Sequence, residues 1–244
     1  MITSKQNKTV KLARSLFDKK NRDELGLYLV SGIKLVKEAL KSSHEVVSVL
    51  TTEKLCDEFS ALFSAVETVS YEVMDYISDE VTPQGVVAIV KKPNSSLIET
   101  DKTCILLDGV SDPGNVGAII RTMAGAGYNA VYATTDSADA FSPKAVRASM
   151  SGVFKVDIYT IKREEISEFI KSPIVIADMN GENVFETKNL GEFCLVIGNE
   201  ARGISKPVRD MAKRVVAIPM QNGMESLNAS VSAGILMYQL KLKN

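Results

Sequence analysis

The sequence predicts an α/β protein in two parts, and three observations carry that prediction. Short apolar segments alternate with stretches of helical spacing along almost the whole chain. One of them, Cys104–Asp108 (CILLD), is apolar up to its last residue, as a strand buried on both faces of a mostly parallel sheet must be. Between the two series lies KKPNSSLIETDK (91–102), which is polar, contains Pro and has no periodicity. It reads as a linker, so the expected domains are residues 1–91 and 103–244, joined through 92–102.

The elements follow in order. Residues 1–22 carry Lys5, Lys8, Lys11, Arg14, Lys19, Lys20 and Arg22 against Asp18 alone. Val10, Ala13, Leu16 and Phe17 fall at helical spacing there, which predicts an amphipathic helix with a basic outer face. Leu27–Val30 reads as a strand, Lys34–Lys41 as a helix, Val46–Thr51 as a strand and Glu53–Phe63 as a helix. Glu67–Glu72 and Val86–Lys91 read as further strands. The second series opens on Cys104–Asp108, with a helix over Asn115–Ala124 and a strand over Ala130–Thr134. A helix over Pro143–Met150, a strand over Lys155–Tyr159 and a helix over Glu164–Lys171 come next. Ile174–Ala177, Cys194–Gly198 and Val215–Pro219 are the last strands, and Ser226–Leu240 is a closing helix with Ser226 as its N-cap type.

Composition removes several function classes. The 244 residues balance 29 Lys+Arg against 30 Asp+Glu, as in an ordinary globular chain. No run approaches the ~18 apolar residues of a membrane span. The opening MITSKQNKTVKLARSLF scatters charge and lacks the apolar core of a secretory signal. Cys56, Cys104 and Cys194 have no C-x-x-C spacing and fit a reducing, cytoplasmic setting; the last two read as small hydrophobes in buried strands. His44 is the one histidine, so no ordinary zinc site and no His-dependent hydrolase is expected, and no metal. It reads as a surface-turn residue. The net charge of −1 conceals an asymmetry, since the first 22 residues sum to +6.

Five of the fifteen glycines lie between Gly109 and Gly127, where backbone approach to a ligand is expected. Gly125-Ala-Gly127-Tyr-Asn-Ala130 spells a dinucleotide fingerprint, but it follows a helix and leads into a strand, so it reads as a helix C-cap. Gly109 to Gly114 has P-loop spacing, but Asn115-Val116 stand where Lys-Ser/Thr must be. What remains is a strand, a tight turn and a helix opening near Asn115, whose free N–H groups and dipole favour an anion. Arg121 lies six residues on, so Asn115 and Arg121 are placed to converge on one ligand. Two more polar loops follow strands, at Gly198–Ser205 and Pro219–Ser230, and the carboxyl ends of parallel strands are where such loops gather into a site.

These residues carry a resemblance. Asn115 to Thr122 (N-x-G-x-x-x-R-T), Ile197 to Gly203 (I-G-N-E-x-x-G) and Ile218 to Ser230 (I-P-M…E-S-L-N-x-S) resemble, in order and spacing, the three motifs of the SpoU family of RNA ribose 2′-O-methyltransferases, within the SPOUT superfamily. The likeness covers about residues 103–242. Residues 1–90, with S-K-x-N-x-x-V-K and Thr82-Pro-x-Gly-Val-Val-Ala, are similar to the amino-terminal RNA-binding α/β sandwich of many members. The resemblance implies a deep trefoil knot, a homodimer through the carboxyl-terminal domain, and S-adenosylmethionine as cofactor. It implies Gly198, Asn199, Ile218, Met220 and Leu227 as cofactor contacts, through backbone groups and, at Leu227 and Met220, apolar cover. It implies Asn115, Arg121, Glu200, Ser226 and Asn228 as the polar catalytic set. The reaction implied is attack of a ribose 2′-hydroxyl on the sulfonium methyl. Glu200 is a proton acceptor by type, but the resemblance implies a positioning role for it, so the base stays unassigned; a guanidinium of pKa above ~12 is a poor base, so Arg121 is assigned to binding RNA and orienting the hydroxyl.

Lys5, Lys8, Lys11 and Arg14, with Arg121, are the expected RNA contacts, and ribosomal RNA is the expected substrate. A tRNA ribose methyltransferase, a non-catalytic RNA-binding or ribosome-assembly protein and a nicotinamide oxidoreductase are the alternatives, the last resting on the misplaced glycines alone. The chain departs from the family pattern at Ala201, where Gly is common, and at Ser31, where Glu is commoner.

Overall fold

The structure, a computed structural model, describes residues 1–94, 96–188 and 190–241. Ser95, which falls in the expected linker, and Asn189 and 242–244 in the expected second domain lie outside the described residues. In chain order the helices are α1 (Lys8–Ser15), α2 (Lys19–Leu25), α3 (Ile33–Lys41), α4 (Glu53–Ser60), α5 (Tyr71–Ile77), α6 (Pro113–Ala126), α7 (Pro143–Ser149), α8 (Ile166–Phe169), α9 (Lys206–Asp210) and α10 (Ala229–Lys241). The strands are β1 (Leu27–Ser31), β2 (Val46–Thr51), β3 (Val66–Thr68), β4 (Val86–Lys91), β5 (Cys104–Asp108), β6 (Ala130–Thr134), β7 (Asp157–Ile161), β8 (Ile174–Asn183), β9 (Cys194–Gly198) and β10 (Arg214–Ala217). Met1–Asn94 with Asp139–Phe154 form one compact unit, and the other described residues form a second.

The first unit has a four-stranded sheet in the order β1-β4-β2-β3, with only the β2–β3 pair parallel. Val10, Ala13 and Leu16 of the predicted apolar stripe are fully buried beside Leu29, Leu50, Val87 and Ile89. Each such burial contributes roughly 1.5–3 kcal/mol for a branched aliphatic side chain, so this segment belongs to the core as much as to the surface. The stripe is split over two helices, because Asp18 caps α2 by accepting from the Lys20 N–H at 2.7 Å. Arg22, counted in the sequence as part of the basic face, is 3% exposed. It pairs with Asp139 at 2.7 Å and donates to the Leu16 and Phe17 carbonyls. That pair, the packing of Tyr28 on Phe141 and that of His44 on Phe154 explain why 139–154 joins this unit, against the expectation of contiguous domains. His44 is half-buried rather than a surface-turn residue, with Nδ1 at 2.8 Å from the Tyr28 hydroxyl.

One further expectation shifts here. The strand read over Glu67–Glu72 ends at Thr68, and Tyr71 and Glu72 open α5 instead, capped by Ser70. Val73, Met74 and Ile77 then bury one helical face, a spacing that outweighs the β-branched start of the segment.

The second unit has a six-stranded, wholly parallel sheet in the order β10-β8-β9-β5-β6-β7. The predicted buried strand β5 is its inner strand, buried at every residue, and Cys104 and Cys194 sit opposite each other across β5 and β9. Both thiols are free and buried, and Cys56 of the first unit is free and half-buried. The second half of the expected linker is anchored: Thr100 bridges Ile170, and the Tyr132 hydroxyl donates to the Ile98 carbonyl at 2.7 Å. Gly127 ends α6 in the left-handed region at φ +74, as the C-cap reading requires. The expected helix over Glu164–Lys171 is a 3-10 turn at Arg163–Glu165 followed by the short α8, β7 runs two residues later than expected, and β8 continues to Asn183.

Candidate functional site

Three loops meet at the carboxyl ends of the parallel strands, those after β5, β9 and β10. The first enters α6, where Asp112 is the N-cap and accepts from the Asn115 N–H at 3.0 Å. The sequence leaves the opening of this helix free for an anionic ligand. In the structure the protein fills it, with Glu200 from the loop after β9. Its Oε2 accepts from the Ser111 N–H and hydroxyl at 3.0 and 2.8 Å, and its Oε1 from the Asp112 N–H at 3.2 Å and the Asn115 side-chain amide at 2.9 Å. Burial alone pushes the Glu200 carboxyl up, but the Asn115 amide and the Ser111 donors outweigh it and hold the pKa at about 2. A carboxylate so held positions Asn115 and is a feeble proton acceptor near neutrality.

Asn115 passes the connection on. Its side-chain oxygen accepts from the Asn228 amide at 3.0 Å, and Asn228 Oδ1 accepts from the N–H groups of Ser230 and Val231 at 2.9 and 3.3 Å. Asn228, not Ser226, therefore caps α10, which starts at Ala229. Glu200, Asn115 and Asn228 form one hydrogen-bonded chain linking all three loops.

The loop after β9 is tightly folded. The Asn199 amide donates to the Gly109 carbonyl at 2.7 Å, and its side-chain oxygen accepts from the N–H groups of Ala201 and Arg202. Asn199 and Gly203 also exchange backbone hydrogen bonds at 3.0 and 2.9 Å. A Cβ on Gly198 would stand 2.6 Å from the Gly203 carbonyl carbon, so only glycine fits. Ala201 adopts no positive φ, and its methyl group brings no backbone strain.

Beneath this loop lies a group the sequence reading did not single out. Asp108, 1% exposed at the end of β5, accepts from Arg163 Nε and from the Ser205 N–H, both at 2.7 Å. Arg163 also reaches Asp136 at 2.9 Å. A charged residue closing an otherwise apolar strand was the available signal.

A cleft of about 490 Å³ opens along these loops, within the range of small-molecule sites. Gly198, Asn199, Glu200, Ser226, Leu227 and Asn228 line it, with Asp178 and Arg209, an ion pair at 2.8 Å that sequence reasoning also missed. A smaller cavity of about 150 Å³, lined by Ile218, Met220, Glu225, Ser226 and Leu227, shares several of these residues. All five expected cofactor residues thus line one cavity or the other. Arg121 lines neither: it stands exposed on α6 and makes no hydrogen bond or ion pair among the described residues. In the first unit Lys5, Lys8, Lys11 and Arg14 are all exposed, but Lys5 is paired with Glu72 at 2.7 Å and Arg14 donates to the Tyr76 carbonyl at 3.1 Å.

The geometry agrees with the chain's likeness to known proteins. Residues 102–238 match the SpoU rRNA Methylase family, and residues 7–88 match the MRM3-like substrate binding domain. The chain is 30% identical to the 23S rRNA (guanosine(2553)-2′-O)-methyltransferase RlmP of Bacillus subtilis, over 98% of each chain. It is 27% identical to a 23S rRNA (uridine(2479)-2′-O)-methyltransferase of Streptomyces viridochromogenes, over 98% of this chain and 90% of that one. Among solved structures, an AdoMet-bound rRNA methyltransferase from Sinorhizobium meliloti superposes with a TM-score of 0.88 at 28% identity, over 99% of this chain and 97% of that one. The three loops that meet at the cleft carry the motifs read in the sequence, and the chain belongs to the SpoU rRNA methylase family.

Proposed function

We propose that this chain transfers a methyl group from S-adenosylmethionine to a ribose 2′-hydroxyl of ribosomal RNA. The observation that carries the reading is the chain Glu200–Asn115–Asn228, which ties three separate loops together and whose ends, Glu200 and Asn228, line a cleft large enough for the cofactor. The relatives that support it are named as rRNA 2′-O-methyltransferases.

The residues present fit the cofactor. Gly198 lines the larger cavity, its missing Cβ letting the Gly203–Ile204 backbone close against it, Leu227 is 37% exposed and lines both cavities, and Ile218 and Met220 give the smaller one an apolar lining. Gly198, Ile218 and Leu227 would hold it through main-chain groups, and Asn199 keeps the Gly198–Gly203 loop closed. When bound, S-adenosylmethionine supplies a sulfonium methyl open to nucleophilic attack. The protein's own part is positioning. Glu200 stays ionised and fixes the Asn115 amide; Asn115 fixes Asn228, and Asn228 fixes the start of α10 beside Ser226 and Leu227. The Arg121 side chain, free of protein partners among the described residues, binds the RNA phosphate and orients the 2′-hydroxyl. His44 is not among the residues that line either cavity, and its Nδ1 is engaged with the Tyr28 hydroxyl.

We infer a homodimer as well, supported by Val231 and Tyr238, which stand two turns apart on α10 at 51% and 48% exposure. A trefoil knot is a further part of this reading, supported by residues of 226–232 lining one cleft with those of the Gly198–Gly203 loop after β10 has closed the sheet edge. Transfer of label from methyl-tritiated S-adenosylmethionine into unmethylated 23S rRNA, with nuclease mapping of 2′-O-methyl positions, tests the activity. Calorimetry showing no cofactor binding at millimolar concentration would overturn it.

A further inference from the structure

We propose that Arg14, Phe17 and Tyr76 form a platform on which an unpaired RNA base stacks, in addition to the phosphate contacts that the basic residues make. This rests on the RNA-substrate reading above. The Arg14 guanidinium carbon lies 4.3 Å from the centre of the Phe17 ring and 5.0 Å from that of Tyr76. One guanidinium nitrogen donates to the Tyr76 backbone carbonyl at 3.1 Å, which fixes the position of the group before any ligand arrives. Both rings are half-buried against the core of the first unit, so they are held in place from below, while Arg14 itself is exposed.

A planar guanidinium held in place is a stacking surface for a nucleobase, and any base has a π-face to offer it. The surroundings supply the charge for the backbone that carries such a base. Lys8, Lys11 and Arg14 follow one another at three-residue spacing along α1, and the side chains of Lys8 and Lys11 make no hydrogen bond or ion pair among the described residues. Lys5 adds to the aromatic contact, 5.4 Å from the Tyr76 ring, but Glu72 neutralises it, so it contributes to the platform more than to the field. A cation needed only to cover two rings has no use for a row of unpaired lysines beside it. A partner of phosphates and bases uses both.

The two contributions separate experimentally, because stacking needs a planar cation and phosphate binding needs only charge. The probes are fluorescent oligoriboadenylate and oligouridylate of about ten nucleotides, and inorganic polyphosphate of like charge as competitor. The full chain is expected to bind the purine oligomer several-fold tighter than the pyrimidine one. Arg14→Lys is expected to bind oligoriboadenylate roughly tenfold more weakly with the salt dependence unchanged, and to bind polyphosphate as well as the parent does. Lys8→Ala is expected to do the reverse, flattening the slope of log K against log salt by about 0.7. Circular dichroism confirms the fold of each variant. If Arg14→Lys binds oligoriboadenylate as the parent does, or loses polyphosphate equally, the platform is refuted while the RNA reading stands. A full chain that binds none of the oligomers refutes both.

Discussion

Glu200 decides between two accounts of the site, and the structure gives the numbers that separate them. Its two oxygens accept four donors, two on each oxygen. Glu200→Gln keeps the shape but only one acceptor oxygen, so two donors at the opening of α6 lose their partner. Each charge-assisted bond is worth about 1.5–3 kcal/mol when shielded. Glu200 is exposed, so solvent replaces much of that, and the variant is expected to lose about 1–2 kcal/mol of stability. The larger effect is on rate. With Asn115 no longer fixed, a displacement of about an ångström costs on the order of a hundredfold in turnover. The pH dependence carries the distinction. A carboxyl held at about 2, below its ordinary value, gives a stabilisation present above the usual carboxylate range and lost only as pH falls towards 2. Methyl transfer measured from pH 5 to 9 is therefore expected to show no acidic limb due to Glu200, in the parent or in the variant, while the variant is uniformly slower. An acidic limb in the parent that vanishes in Glu200→Gln would make Glu200 the proton acceptor and refute its role as a positioning residue.

Three other outcomes are expected. Gly198→Ala forces a methyl group to 2.6 Å from the Gly203 carbonyl carbon, an overpacking worth roughly 1–3 kcal/mol, so calorimetry should show weakened cofactor binding and scanning calorimetry a lower Tm; a parent-like Kd would break the assignment of that loop. Arg121→Ala removes an exposed side chain without partners among the described residues, so unfolding should move by less than ~0.5 kcal/mol while methyl transfer falls at least tenfold; full activity would remove Arg121 from the site. Arg163→Met leaves the buried Asp108 carboxylate short of its cation and should cost about 3–5 kcal/mol in urea unfolding, with Asp108→Asn in the same chain recovering part of it; no loss would mean the pair does not hold the loop after β9.

Much of this was legible in the sequence because it depended on short-range chemistry. The buried run at Cys104–Asp108, the C-cap at Gly127 and the alternation of strand and helix each follow from a few neighbouring residues. Where neighbouring signals compete, local reading fails. Thr68 to Glu72 begins with β-branched residues and turns into α5, because Val73, Met74 and Ile77 gain more from one buried helical face than from continuing a strand that pairs over three residues. The basic arm fails for the opposite reason. Charge was counted along the chain, but Arg22 is spent on Asp139 more than a hundred residues away, and Lys5 on Glu72, so fewer of the cations are open to a ligand than the count implies.

The site shows the same division. Which residues gather could be read, because three loops after parallel strands must converge. What each does could not, because every decisive hydrogen bond is long-range. By residue type alone Glu200 could be a base, and the bonds that make it a clamp come from the N–H groups of Ser111 and Asp112, 89 and 88 residues earlier. The empty anion seat at the head of α6 and the unassigned carboxylate were thus one problem. The helix dipole that was expected to attract the substrate is satisfied within the protein, and the carboxylate that satisfies it is depleted as a base by the same bonds. That leaves the Arg121 side chain on α6 without a protein partner among the described residues, and on the proposed function RNA binding there rests on that side chain rather than on the helix end.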